Sequence, residues 1–148
     1  MNIFVLDTEP CVAASYHCDK HISKMILESA QMLSTVLGGP YKPTHQNHPC
    51  TKWVAQSWSN AFWLWSLAFN LNLEYKRRFN HTQDHKSWEA IQAHDQLMPL
   101  LLADEGITPF ALAMPDEYKS PDPVYAYRAY YKSKAFAKWE HGPTPVWW

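Results

Sequence analysis

The segment from residue 51 to residue 78 limits the possible folds of this chain more than any other stretch. Aromatic residues recur in it at intervals of four, three and four positions, at Trp58, Phe62, Trp65 and Phe69. Such intervals place side chains on one face of an α-helix. Trp53 and Trp63 fall elsewhere on the circumference, and a helix that is apolar over so much of its surface lies at the centre of a fold. We therefore expect a central helix over 51–78.

Three further helices are expected around it. One runs from the Pro10 region to Leu37, with a break near residues 15–17, and Gly38-Gly39-Pro40 ends it. Another covers 87–102 and the last covers 124–139, separated by an irregular segment rich in proline. Nothing repeats internally and no linker divides the chain. The sequence predicts a mainly α fold: one compact helical domain, 1–148, of about four helices, with a short extended N-terminus and ordered Pro-rich loops.

Composition limits the partners. Hydrophobic residues make up 47% of the chain and charged residues 18%, which is typical of a globular protein. The net charge of −1 argues against broad nonspecific coating of DNA, which requires a basic surplus. No apolar run approaches the length of about 18 residues that a membrane span requires, so no membrane association is expected. Three cysteines without a signal peptide favour reduced thiols and a cytoplasmic location, the host cytoplasm for a phage protein.

The stretch YHCDKHISKM, residues 16–25, concentrates polar side chains that can carry chemistry. His17 and His21 are four residues apart and share a helix face, a spacing that suits two metal ligands. Further ligands would have to come from the loop, from His45, His48 or Cys50. Because neither CxxC nor HExxH is present, we expect no metal and no cofactor.

An acid–base site is the stronger interpretation of the same stretch. Asp19, Lys20, His21, Lys24 and Glu28 alternate in sign, and a solvated row of salt bridges would explain the charges but not the histidines. A titrating ring beside a lysine and a carboxylate is what proton transfer requires. The loop at 41–50 adds Asn47 and His48, and the last helix interleaves rings with cations, as in Arg128 and Tyr131. We expect Asp19, His21, His48 and Arg128 to converge on one pocket.

Two resemblances add to these patterns. MNIFVLD, CDKH, NHPC followed by Trp53, TPFALAMPDE, YRAYY and PVWW together resemble a family of small, functionally uncharacterised bacteriophage proteins, over nearly the whole chain. More distantly, the chain resembles pyrimidine-dimer DNA glycosylases of the phage endonuclease V type. That likeness rests on the short start, the long first helix with charges about twenty residues in, the NHP loop, LEYKRRFN and the late aromatic helix.

The second resemblance implies a compact helical fold with the N-terminus at the active site. In that family a backbone amine, exposed when Met1 is removed before a small residue, is the nucleophile. Here residue 2 is Asn, which normally leaves Met1 in place. The nearest match to the family's catalytic carboxylate is Asp19, with Glu28 a poorer match. Lys20 or Lys24 is an alternative amine for a Schiff base if burial or neighbouring cations lower its pKa.

The leading hypothesis is a phage enzyme that acts on a nucleobase or nucleotide, glycosylase-like, in DNA metabolism or modification. Its catalytic residues would be Asp19, Lys20, His21 and His48, and a nucleotide or a flipped base of DNA would bind at Lys24, Asn47, Trp53, Arg128 and Tyr131. The alternative is a noncatalytic phage protein that inhibits or sequesters a host protein through an aromatic-rich surface. A small metalloenzyme using His17, His21 and loop ligands is the third hypothesis.

Overall fold

The computed structural model describes residues 1–96 and 98–148. In these residues the chain is helical without strands, which confirms the predicted fold class. The seven helices described are α1 (Pro10–Tyr16), α2 (Asp19–Leu37), α3 (Pro49–Gln56), α4 (Trp58–Arg78), α5 (Trp88–Gln92), α6 (Met98–Leu101) and α7 (Pro123–Lys132), with a 3-10 turn at Asp116–Tyr118.

The helix count exceeds the expected four because three of the predicted helices are each interrupted once, whereas the fourth is only shorter. The first breaks between α1 and α2, near the expected position. The segment 51–78 begins earlier, at Pro49, and breaks at Ser57, whose hydroxyl accepts the Ser59 amide and bonds to the Gly106 carbonyl at 2.8 Å. The predicted helix 87–102 consists of α5 and α6, and Leu97 lies outside the described residues. The last helix ends at Lys132, seven residues before the expected end.

Helix α4 occupies the centre, as predicted, and packs against α1, α2, α3, α5 and α6. One side of it is fully enclosed by the core, with Leu64, Leu67 and Leu71 at or below 1% exposure. The face that carries Trp58, Phe62, Trp65 and Phe69 is different. Phe62 and Phe69 are 44% and 40% exposed, so the aromatic row that defined the helix in the sequence lies at the surface.

A buried arginine holds the corner between α1 and α2. The Arg78 side chain, at the end of α4, has no exposed surface. Its guanidinium donates to the carbonyls of Ser15 (2.8 Å) and His17 (2.7 Å) and pairs with Asp19 (3.2 Å) and Glu74 (2.8 Å). The carbonyls at the end of α1 thus find a partner on a helix about sixty residues further along the chain, as helix ends require.

Candidate functional site

The extended N-terminal segment inserts into the helices and brings its amine to a buried carboxylate. Residues Ile3 to Leu6 are at most 5% exposed and anchor the segment. The Met1 amine lies 3.3 Å from Oε1 of Glu28, and the Asn2 amide donates to the same oxygen at 2.9 Å. Glu28 is only 8% exposed and lies on α2. A carboxylate so enclosed requires such partners, because an unpaired buried charge is costly.

The side chain of Asn2 fixes the position of this amine. Its Nδ2 donates to the carbonyl of Ala113 at 2.8 Å, and its Oδ1 accepts the Ile3 amide at 2.8 Å. The Tyr127 hydroxyl (3.3 Å) and the Cys50 thiol (3.5 Å) adjoin the same oxygen. Burial raises the pKa of Cys50 to about 11 and raises the pKa of Tyr127, so both groups are protonated at neutral pH and serve as hydrogen-bonding partners.

His48 completes this arrangement, which we call the N-terminal site: Met1, Asn2, Glu28, His48 and Cys50. The His48 ring caps α3, where its Nδ1 accepts the Cys50 amide at 3.1 Å, which places the proton on Nε2. Burial and then the positive N-terminal amine lower the pKa of His48, while Glu28 and a hydrogen bond to the Met1 backbone oppose them. A neutral imidazole, a carboxylate and an amine therefore adjoin, and such groups can exchange protons.

His21 belongs to a second group of residues, between α2 and α7. Its Nδ1 lies 2.9 Å from the Tyr131 hydroxyl, and its ring stacks on Phe4 with centroids 4.8 Å apart. Burial is the main cause that lowers the pKa of His21 to about 3, followed by the charges of His17, Lys134, Lys24 and Lys20. The ring is neutral at physiological pH, and at 3% exposure it acts as part of the core.

Cations and aromatic rings cover His21 on the outside. Lys134 Nζ lies 4.2 Å from the centroid of Tyr130, and Lys20 Nζ lies 5.1 Å from that of Phe136. Lys20 and Lys24 are exposed and one turn apart on α2, and Glu28 follows one turn later. This cationic strip (Lys20, Lys24 and Lys134) runs toward the N-terminal site and offers positive charge to an anionic ligand.

Arg128 belongs to neither group. Its Nε donates to the Leu6 carbonyl at 2.8 Å, its Nη2 lies 3.3 Å from Asp7, and its guanidinium lies over the rings of Tyr16 and Trp147. It lines a cavity of about 650 Å³ on the outer side of α7. The guanidinium thus ties α7 to the N-terminal segment and has its own surroundings.

Asp19 is likewise occupied by structural partners. Its Oδ1 accepts Arg78 at 3.2 Å and its Oδ2 accepts the Glu140 amide at 2.7 Å. Over residues 1–96 and 98–148, one trio of side chains has metal-ligand spacing: Asp19, Glu140 and His141. The two histidines considered as metal ligands from the sequence form hydrogen bonds within the protein. Nδ1 of His17 bonds to the Ala13 carbonyl, and Nδ1 of His21 bonds to the Tyr131 hydroxyl.

The sequence predicted that Asp19, His21, His48 and Arg128 share one pocket. In the structure each of these side chains has its own set of contacts instead. The stacking roles expected of Trp53 and Tyr131 do not fit their burial. Trp53 is 2% exposed between Phe110 and Trp63, Tyr131 has no exposed surface, and neither ring presents a face to a base.

Lys20, Lys24 and Asn47, three of the residues predicted to act on or bind the substrate, have exposed side chains.

Glu28 is the functional candidate that the sequence interpretation ranked too low. A signal for it existed: position 28 follows Met25 by three residues on the apolar side of α2, where a carboxylate needs a special partner. That partner, the chain's own amine, could not be recognised from the helix pattern.

None of the helices over residues 1–96 and 98–148 is long and apolar enough to cross a membrane. Comparison of the chain with protein-family models, curated proteins and solved structures found no match.

Proposed function

We propose that this chain is an enzyme that acts on a nucleobase or nucleotide by glycosylase-like chemistry at the N-terminal site. The observation that carries the proposal is the Met1 amine 3.3 Å from the buried Glu28 carboxylate, beside the neutral His48. Phage origin and a role in DNA metabolism or modification belong to the same proposal, and they rest on the resemblances alone.

The chemistry follows from the amine. A primary amine that has lost its proton is a nucleophile and can form an imine with the C1′ carbon of a sugar. Glu28 first takes the proton that the ammonium must lose, and the amine lone pair then attacks C1′ of the nucleotide. The bond from C1′ to the base breaks, and the base leaves with the bonding electrons and takes up the proton that Glu28 holds. Glu28 then takes a proton from the alkylated nitrogen and passes it to the ring oxygen as the bond from C1′ to that oxygen breaks, which leaves a protonated imine.

The roles of the candidate residues shift accordingly. Glu28 takes the carboxylate role that the sequence assigned to Asp19, because Asp19 is bonded to Arg78 and to the Glu140 amide. His48 acts as the proton-transfer group beside it, and Asn47, whose side chain is exposed, contacts the base edge in this proposal. His21 supports Phe4 and Tyr131 from within the core.

Phosphate binding is assigned to the cationic strip. Lys20 and Lys24 are exposed on the turns of α2 that precede Glu28, and Lys134 lies above Phe4 and Tyr130. Side chains on successive turns are about 5.4 Å apart along the axis, a step close to the spacing of phosphates along an extended strand. The limited number of cations agrees with recognition of one nucleotide or one flipped base rather than a long duplex.

Reductive trapping tests the proposal. The protein is incubated with a nucleotide panel and with normal, damaged and abasic DNA, and borohydride reduces any imine to a stable amine. We expect a covalent adduct, seen by intact mass and located by peptide mapping at the N-terminal residue, together with release of the base. Glu28→Gln should reduce adduct formation at least about 100-fold. Glu89→Gln, at an exposed carboxylate of α5, is the matched control.

A Gly-Ser extension of the N-terminus separates the amine from the carboxylate and should abolish the adduct. An adduct that persists with the extension and maps to Lys20 or Lys24 would move the nucleophile to the alternative amine. If no substrate yields an adduct or free base, the enzyme proposal fails, and a noncatalytic binding protein becomes the better hypothesis.

A further inference from the structure

An ordered row of aromatic rings lies on the outer face of α4. The centroids of Trp58 and Phe62 are 5.2 Å apart, those of Phe62 and Trp65 are 5.9 Å apart, and those of Trp65 and Phe69 are 5.7 Å apart. Their interplanar angles are only 11°, 6° and 14°. Leu73 continues the row and is 45% exposed. Exposed apolar surface of this extent on one helix is typical of an interaction site.

A groove runs beside this aromatic row. It is lined on α4 by the smaller side chains of Ser59, Ser66 and Asn70 together with Trp63, and by the segment 8–11. The groove has a volume of about 380 Å³, and Phe62 forms its near edge. A ridge of large side chains next to a groove of small ones is the geometry by which two helices pack.

We propose that the aromatic row binds the same row of a second copy of this chain, with the two α4 helices antiparallel about a two-fold axis. The spacing of the row is self-complementary about a point midway between Trp65 and Ser66. Around that point Phe62 of one copy faces Phe69 of the other, and Trp58 faces Leu73. Trp65 faces Ser66, so a large ring meets a small side chain, as an isologous interface requires.

Charge supports the antiparallel direction. The last turn of α4 carries Lys76, which pairs with Asp84 at 3.0 Å, and Arg77, which pairs with Glu74. Both pairs lie at the surface, where ion pairs are weak, so either cation can also contact an acidic group of a second copy. The N-terminal end of α4 has two exposed acidic neighbours, Asp104, which accepts the Ser59 hydroxyl at 2.6 Å, and Glu105, which follows it in the chain. An antiparallel pair places the basic end of each helix beside the acidic end of the other, whereas a parallel pair would place like charges together.

The contact is small. The row from Trp58 to Leu73 covers fifteen residue steps, about 22 Å at 1.5 Å per step, and a helix with side chains is about 10 Å wide. Pro99 and Leu102 line a groove with Trp58 and extend the apolar surface there. The intervening Leu100 and Leu101 are 79% and 56% exposed. An interface of this size falls below that of permanent dimers, so we expect reversible association in the micromolar range.

Sedimentation velocity of the full chain from about 5 to 500 µM tests the proposal. We expect the weight-average mass to rise from that of one copy toward that of two. Phe62→Glu should keep the protein monomeric over the whole range. Tyr125→Glu, at a more exposed aromatic residue of α7, should leave the dimer unchanged. A protein that stays monomeric at 500 µM, or a dimer that tolerates Phe62→Glu, would overturn the proposal.

Two charge variants test the direction without disturbing the rings. Arg77→Glu and Glu105→Arg should each weaken self-association about tenfold, because each creates two like-charge contacts per dimer. A mixture of the two variants should recover association, because both contacts in the mixed dimer then pair opposite charges. Failure of the mixture to recover, when each variant alone is monomeric and folded by circular dichroism, would exclude the antiparallel arrangement.

Discussion

Two buried histidines make the fold sensitive to acid. His17 and His21 are 0% and 3% exposed. Burial is the largest cause that lowers the pKa of His17 to about 4 and that of His21 to about 3, from 6.5 for a solvated ring. At pH values between 6.5 and these lowered pKa values, the two rings bind protons in the unfolded chain but not in the folded chain. The contribution that these two neutral rings make to the unfolding free energy is therefore fully present above pH 6.5. It is lost progressively as the pH falls toward their folded-state pKa values of about 4 and about 3.

The magnitude follows from these shifts. At pH 4.5 the solution is two units below the unfolded pKa and still above both folded values. Two units correspond to about 2.7 kcal/mol for each ring, so the pair costs about 5 kcal/mol of unfolding free energy relative to pH 7. This loss equals the whole stability of a marginal domain. Burial also lowers the pKa of His85 and His94, which adds to the loss in the same direction.

Urea denaturation followed by circular dichroism at pH 7 and pH 4.5 measures the effect. His21→Phe should retain the stacking on Phe4 and reduce the pH-dependent loss by about half, whatever it does to stability at pH 7. His141→Phe, at an exposed ring, should leave the loss unchanged. An unfolding free energy that differs by less than about 1 kcal/mol between the two pH values would refute the reasoning, because neither ring could then be excluding a proton.

Three further substitutions probe the fold by the same urea assay. Arg78→Met should destabilise the fold by about 3–5 kcal/mol, because it leaves buried partners unpaired, while Arg77→Met should change stability by less than about 0.5 kcal/mol. Similar effects of the two substitutions would contradict the conclusion that the Arg78 guanidinium holds α1 and α2 together. Asn60→Ala should cost about 2 kcal/mol, since its buried amide bonds to Trp53 and Thr108, and a neutral outcome would mean that water replaces those bonds. Asp122→Ala should cost about 1 kcal/mol through loss of the α7 cap, with the loss confined to α7 in hydrogen exchange; unchanged exchange there would argue against the cap.

The fold class was predictable because local pattern determines it. Apolar spacing located α2 and α4, and Gly38, with φ of 97°, ends α2 where the sequence expected an end. The break at Ser57 was not predictable, because the bonds that stabilise it come from Asp104 and Gly106, almost fifty residues away. The pattern also could not tell which aromatic face of α4 would meet the core.

The candidate site was less predictable than the fold. His48 and Glu28 belong to one site only because the N-terminal segment folds across α2, a contact between residues 26 positions apart in the chain. Tyr131 resembled a stacking residue because it sits between cations in the sequence. Its hydroxyl bonds to Cys18 and His21, over one hundred residues away, and this makes it a core residue.

The Arg78 corner also determines the order in which this chain can fold. The angle between α1 and α2 is held by groups that are distant in the chain: Arg78 at the end of α4 donates to the Ser15 and His17 carbonyls, and Tyr131 accepts the Cys18 amide. The two helices can therefore form early and still point in many directions, and the loop of about sixty residues must close before their angle is set. Native orientation of α1 is then a late event. Native-state hydrogen exchange of the Cys18 and Asp19 amides, which donate to the Tyr131 hydroxyl and the Lys138 carbonyl at 2.9 Å each, should require the undocking of residues 131–138 rather than local fraying.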